Sequence, residues 1–189
     1  YIDLQFSTYF VPSKLTAQDG MEVSLQNFEN VTIDGNVAAT ILGPAAADTL
    51  IGDTGADTIT GRAGADTLTG GSKSDTFVFS SGDTGITLDT ADTITDFSTG
   101  TDKIDIATVG NYVEADGAGN ANIAAFITDA DASLPTTSID IYAEYNFNGE
   151  GNTLVVIDED KSGAVNTGDT LIILTGLSTA GGLDASDFI

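Results

Sequence analysis

Aspartate stands at positions 48, 57, 66 and 75, every ninth residue, with a glycine five places before each and a large apolar residue two places after. Written in nines, the segment reads Gly43-Pro-Ala-Ala-Ala-Asp48-Thr-Leu50-Ile, Gly52-Asp-Thr-Gly55-Ala-Asp57-Thr-Ile59-Thr, Gly61-Arg-Ala-Gly64-Ala-Asp66-Thr-Leu68-Thr and Gly70-Gly71-Ser-Lys-Ser-Asp75-Thr-Phe77-Val. A fixed short period of this kind is the mark of a solenoid, in which each repeat buries its apolar side only against its neighbours. Three residues around the apolar position make a short strand with one side chain inward and its neighbours outward. Leu50, Ile59, Leu68 and Phe77 then stack into a thin core. The six residues from Gly to Asp form the turn, where Gly supplies backbone angles closed to other residues.

Such a turn aims several carbonyls and one carboxylate at a common point, the kind of oxygen set that Ca²⁺ takes in sixes to eights. The charge balance agrees. There are 29 acidic residues against 5 basic ones and no His, for a formal net charge of -24. Charge of that size repels itself and opposes a compact state unless something neutralises it. Nucleic acid is excluded as a partner for want of a basic patch, and anionic membranes for the same reason. With neither Cys nor His, the chain lacks the ligands for a zinc, copper or haem centre and the side chains for a Ser/His/Asp or Cys/His catalytic set. No stretch approaches the ~18 to 20 apolar residues of a membrane span. The start, Tyr1-Ile2-Asp3-Leu4, has no initiator Met and does not read as a signal peptide, so the chain is expected to be a fragment or a processed product.

The four nonapeptides resemble the RTX (haemolysin-type) repeats of proteins exported by type I secretion. The resemblance implies an all-β fold, a parallel β-roll whose successive repeats alternate between two sheets, with Ca²⁺ between turns two repeats apart. It implies that Asp48 pairs with Asp66 and Asp57 with Asp75, and that carbonyls of Gly52, Thr54, Gly55, Gly61, Ala63, Gly64, Gly70 and Gly71 complete the shells. Two places depart from the pattern, Ala46 and Lys73, where Gly is usual.

Asp75-Thr-Phe-Val-Phe79, Asp92-Thr-Ile-Thr-Asp96-Phe97 and Gly100-Thr-Asp102-Lys-Ile-Asp105-Ile106 resemble the block that closes the roll in serralysin-type proteases. That likeness implies one further calcium site completed by Asp83, Asp92 and Asp102; a solvated acidic hairpin is the alternative. Upstream, residues 23 to 31 read as a strand leading into the repeats, residues 34 to 42 as a degenerate rung with Ala39 at the Asp place, and residues 1 to 11 as an edge strand.

The last third differs in character. Ile123, Phe126, Ile127 and Ala130 fall at helical spacing, and Ile139, Ile141, Ala143, Tyr145 and Phe147 alternate as on one face of a strand. Asp158, Asp160, Ser162, Ala164 and Asn166 match the first nine places of an EF-hand loop, with Gly163 at the sixth. Asp169 takes the twelfth place instead of Glu, and the flanks are strands, so the segment reads as an EF-like loop at a hairpin tip, either a calcium site or a plain acidic turn. The final Asp187-Phe188-Ile189 resembles the uncleaved export signal of type I substrates.

The chain is therefore expected to comprise strands leading into the roll (1–33), the roll with its closing block (34–106) and a smaller β-rich region with one short helix (107–189). Its expected role is a secreted, non-enzymatic calcium module that passes through a type I secretion apparatus. The composition, rich in Thr, Ala, Gly and Asp and poor in Lys, Met, His and Cys, resembles surface-layer proteins and adhesins, which implies self-assembly at a cell surface. The other expectation is a non-catalytic C-terminal part of an exoenzyme such as a serralysin-type protease.

Overall fold

The computed structural model describes residues 2–5, 13–16, 21–26, 30–34, 38–106, 110–115, 120–134 and 140–189. Each nonapeptide contributes one short strand: β6 (Thr49–Ile51), β7 (Thr58–Thr60), β8 (Thr67–Thr69) and the slightly longer β9 (Thr76–Phe79). In each, the second residue is fully buried and its neighbours are half-buried, as a period of two along a strand requires. Before them come β1 (Ile2–Gln5), β2 (Ser13–Thr16), β3 (Met21–Gln26), β4 (Asn30–Asp34) and β5 (Ala39–Leu42). After them come β10 (Asp92–Ile94), β11 (Lys103–Ile106), β12 (Asn111–Glu114), helix α1 (Ile123–Ser133), β13 (Asp140–Phe147), β14 (Asn152–Asp158), β15 (Thr170–Leu174) and a 3₁₀ turn at Ala185–Asp187.

Successive strands of the roll alternate between two sheets, one of order β1-β3-β5-β7-β9-β11 and one of order β12-β13-β14-β15-β10-β8-β6-β4-β2. The pairs within the roll are all parallel, so the fold is an all-β parallel roll. One row runs in register through Ile2, Val23, Ile41, Ile59, Phe77 and Ile104. The facing sheet carries Val31, Leu50, Leu68, Ile94 and Leu174 in register. From Ile41 and Leu50 onward these side chains are fully buried and form the core between the sheets.

The expected segment boundaries at 33 and 106 do not coincide with breaks in the sheets. β3 and β4 pair directly with β5 and β6, so the upstream strands are rungs of the same roll rather than a leader. β1 is the edge strand of the six-stranded sheet; Phe6 through Val11, Asn27 through Glu29 and Ile139 lie outside the described residues. Past residue 106, β15 pairs in parallel with β10, and β14 and β13 follow antiparallel, which extends the nine-stranded sheet.

Helix α1 starts at the N-cap Asn122, whose side chain accepts from the Ala125 amide, and buries Phe126 and Ala130 on the outer face of β13 and β14. β13 is buried on both faces. Ile141, Ala143 and Tyr145 face the roll, as their alternation predicts. Phe147 does not: the register slips between Glu144 and Phe147, Asn146 takes φ 54°, and the ring turns to pack beside Phe126. One extra residue in a strand reverses the faces that follow it, which a reading of strict alternation cannot foresee.

Candidate metal centres

The aspartates of the repeats stand at the last place of each turn, where the chain enters a strand, and all four are buried. Turns 43–48 and 61–66 lead into the nine-stranded sheet along one edge of the roll; turns 52–57 and 70–75 lead into the six-stranded sheet along the other. Residues one coil apart are thus 18 positions apart in sequence, and the carboxylates form a ladder along each edge. Asp66 Oδ1 accepts the Asp48 amide at 2.8 Å, and Asp92 Oδ1 accepts the Asp66 amide at 2.8 Å. On the other edge Asp57 Oδ1 accepts from Ala39 at 2.8 Å, Asp75 Oδ1 from Asp57 at 2.8 Å and Asp102 Oδ1 from Asp75 at 3.0 Å.

The second oxygen of each carboxylate is the telling one. Among the described residues, Oδ2 of Asp57, Asp66, Asp75 and Asp92 is buried and accepts no hydrogen bond. A carboxylate oxygen withdrawn from water without a partner costs several kcal/mol, roughly, so such atoms demand a cation. The glycines explain where these oxygens lie. A Cβ on Gly61 would stand 2.2 Å from Asp66 Oδ2, and one on Gly70 2.4 Å from Asp75 Oδ2. At Gly52 the same point lies 2.5 Å from Asp57 Oδ2 and 2.7 Å from the carbonyl oxygen of Gly70, one coil on. Carboxylate and carbonyl oxygens therefore converge above Gly52, and likewise above Gly43, where a Cβ would lie 3.1 Å from Asp48 Oδ2 and 2.7 Å from the carbonyl oxygen of Gly61. This donor set is hard, anionic and all-oxygen, and it fits Ca²⁺.

The other predicted ligands, Thr54, Gly55, Ala63, Gly64 and Gly71, all lie in these turns. Gly71 has φ 101° and its missing side chain admits the Asp53 carbonyl, which would be 1.7 Å from a Cβ. Lys73 takes φ 84° in the place where Gly is usual, a conformation that costs a non-glycine residue about 1 kcal/mol.

Asp83, Asp92 and Asp102 do not form one site. Because successive strands alternate between sheets, Asp92 stacks on Asp66 at one edge and Asp102 on Asp75 at the other. Asp83 sits on the Asp66 edge, where its carbonyl accepts from the Gly64 amide at 3.3 Å. Asp96, to which the nine-residue period gives no place, holds the turn that opens at Gly70: its two oxygens accept from the Gly70 and Gly71 amides at 3.0 and 2.7 Å. Asp-x-x-x-Asp after a strand-forming run was the only signal for it.

The EF-like segment is the loop between antiparallel β14 and β15. Asp158, Asp160 and Asp169 each bring a carboxylate oxygen within 4.8 Å of the others. The Asn166 amide nitrogen lies 3.0 Å from Asp160 Oδ2, from Ser162 Oγ and from the Ala164 carbonyl oxygen, so these oxygens share one focus. Asp169 Oδ2 accepts from the backbone N–H of Asn166 at 2.7 Å, and Gly163, at φ 70°, donates its backbone N–H to Asp158 at 2.7 Å.

Burial is the main force on the protons of these groups. It pushes the carboxyls of Asp66, Asp75 and Asp169 up to about 6 and that of Asp92 up to about 8, with neighbouring carboxylates adding to the rise. Asp57 and Asp102 are raised for the same first reason. Asp160, which is exposed, is lowered, chiefly by hydrogen bonds from Ser162 and Asn166.

Comparison with known proteins gives the same picture. Residues 45–77 match the RTX calcium-binding nonapeptide repeat in four copies. No curated protein matches the chain. A solved structure, the AlgE6R3 subunit from the Azotobacter vinelandii mannuronan C5-epimerase, is similar at 21% identity and a TM-score of 0.53, over 97% of this chain and 86% of that one. Ladders of buried carboxylates on a parallel roll, joined to that repeat match, make residues 45–77 RTX calcium-binding repeats and the chain a calcium-binding β-roll module.

Proposed function

We propose that this module is exported unfolded through a type I secretion apparatus, folds when extracellular Ca²⁺ fills its turns, and serves outside the cell as a non-catalytic part of a surface-layer or adhesin-like protein. The observation that carries the calcium switch is the row of buried carboxylate oxygens that no protein group satisfies. Without metal, these charges and the net charge of -24 oppose folding. Cytosolic Ca²⁺ lies far below the ~0.1 to 1 mM affinity of extracellular modules, so the chain stays threadable inside. Outside, binding energy becomes folding energy, about 2.7 kcal/mol per site at a hundredfold excess over the dissociation constant. The loop 158–169 supplies a further calcium position.

Residues 187–189 are tied into the fold: Phe188 is buried against Tyr112 and bridges to Ile104, and Asp187 binds Lys103 at 3.5 Å and accepts from the Gly100 amide at 2.8 Å. The composition, with 22 Gly, one Met and no His or Cys, favours the surface protein. A second reading, an accessory part of an exoenzyme such as a serralysin-type protease, is favoured by the closing block at 92–106 and by a structural neighbour that belongs to an epimerase.

Far-ultraviolet circular dichroism tests the switch: coil in EGTA, strand on adding millimolar Ca²⁺, and no response to Mg²⁺. Native strand signal in EGTA would overturn it. Arrays or filaments seen by microscopy only with Ca²⁺ support the surface role; a monomer at all protein concentrations favours the exoenzyme part.

A further inference from the structure

Outside the roll, helix α1 and the loop between β14 and β15 are joined by a hydrogen bond. Asp131 Oδ1 accepts the Val165 backbone N–H at 2.6 Å, across 34 positions of sequence. The helix reaches the loop because Phe126 and Ala130 are buried in one apolar cluster with Tyr142, Leu154, Val156 and Leu171, and Ile127 and Val165 pack against that same cluster. Asp131 stands in the last turn of α1, which holds no basic residue. That end of a helix carries partial negative charge, so a carboxylate there works against the helix. The loop, and not the helix, gains from it.

The gain follows from the geometry of one peptide unit. The Val165 N–H belongs to the same planar group as the Ala164 carbonyl, and no peptide bond among the described residues is cis. In a trans peptide the two groups point in opposite directions. A carboxylate that holds the N–H on the helix side therefore turns the carbonyl oxygen inward. That oxygen lies 2.9 Å from Ser162 Oγ and 3.0 Å from Asn166 Nδ2, which is itself 3.0 Å from Asp160 Oδ2. Ala164 is the seventh place of the loop, the one from which an EF-type loop ligates through its backbone. The Asp131 charge also polarises the peptide and leaves more negative charge on the ligating oxygen.

We propose that Asp131 is a positioning residue for the 158–169 loop: by holding the Val165 N–H it aims the Ala164 carbonyl at the ion, and so couples calcium in the loop to the docking of helix α1. The proposal rests on the reading of that loop as a calcium position. Coupling of this kind is reciprocal, so an ion in the loop tightens the helix as much as the docked helix tightens the ion.

A calcium titration of the whole chain followed by NMR tests it, with the Gly163 amide and the Ala164 carbonyl ¹³C reporting the loop and the Asp66 carboxyl ¹³C reporting the roll. Asp131→Ala is expected to raise the loop midpoint by about tenfold, the usual effect of losing a group that orients a metal ligand, and to leave the roll midpoint in place. Asp131→Asn keeps an acceptor oxygen and should recover part of the loss. Asp129→Asn, which removes a charge from the same helix two places away and keeps the oxygen that accepts from Asn120, should leave the loop midpoint unchanged. In the unchanged chain, hydrogen exchange of the α1 amides should slow at the loop midpoint, a readout that needs no variant. An unshifted loop midpoint in Asp131→Ala, an equal rise in Asp129→Asn, or helix exchange that ignores calcium overturns the positioning role and leaves the loop site intact. Gly163 and Ala164 resonances that ignore calcium in the unchanged chain, while Asp66 responds, overturn the loop reading itself.

Discussion

Replacing Asp75 by Asn should change the stability of the module in opposite directions with and without calcium. Asp75 is 1% exposed; its Oδ1 accepts the Asp57 amide at 2.8 Å and its Oδ2 accepts nothing. Burial, with the charges of Asp102, Asp57 and Asp96 adding to it, raises the carboxyl from 3.8 to about 6. A carboxylate whose folded pKa is raised opposes folding wherever it is ionised. At pH 7 a rise of about two pK units costs about 3 kcal/mol in the metal-free fold. Asn keeps the oxygen that accepts from Asp57 and removes the charge, but it leaves a buried amide donor that costs about 1 to 2 kcal/mol. The metal-free fold should gain about 1 to 2 kcal/mol. In calcium the same change removes a ligand, and with it about 2.7 kcal/mol of linkage at a hundredfold excess of ion. Osmolyte-induced folding in EGTA and urea unfolding in calcium, both followed by circular dichroism, give the two signs: less trimethylamine N-oxide needed for the variant, and a lower urea midpoint. A loss of stability in both media would refute the reasoning, since Asp75 would then act only as a hydrogen-bond acceptor.

Acid should act on the metal-free chain as Asp75→Asn does. The folded state holds more protons than the unfolded one between about pH 4 and pH 8, the window set by Asp66, Asp75, Asp169 and Asp92, so folding in EGTA should strengthen as pH falls through it, while calcium midpoints rise because protons compete for the same oxygens. Calorimetric calcium titrations at pH 5 and pH 7.5 check this. Gly61→Ala puts a Cβ 2.2 Å from Asp66 Oδ2 and should weaken calcium binding at least tenfold, about 1.4 kcal/mol, by displacing the carboxylate. Asp158→Asn should lower the ion count by one in native mass spectrometry and leave the cooperative folding of the roll in place, because its oxygens belong to the β14–β15 loop alone. Phe188→Ala should lower the stability of the calcium-loaded module by about 3 kcal/mol in urea unfolding, the cost of emptying a buried aromatic site against Tyr112 and Ile104.

The middle of the roll was legible because three columns repeat together. Gly, Asp and an apolar residue at fixed offsets specify turn, ladder and core at once, and β6 through β9 follow from them. The upstream rungs carry only the apolar column. Ile2, Val23 and Val31 lie in register with the core rows, but no Gly-to-Asp turn precedes them, so they read as separate strands. The join between β10 and β15 spans 80 positions, as in the Thr175 hydroxyl bond to the Thr95 carbonyl, and no local pattern announces a pairing of that reach. Asp83, Asp92 and Asp102 show the same limit in the site. Their residue type suggested one shared site, but the edge each occupies depends on the alternation of sheets across an irregular crossover. Asp96 was hidden for another reason: it satisfies backbone amides, and acidic spacing alone does not distinguish that work from metal ligation.

The most direct measurement is a crystal structure grown in millimolar calcium and read by anomalous scattering. The account predicts anomalous peaks along both edges of the roll, bound by the Oδ2 atoms of Asp57, Asp66 and Asp75 and by carbonyls of the neighbouring turns. Well-ordered turns that hold only water, or no ion at all, would contradict it.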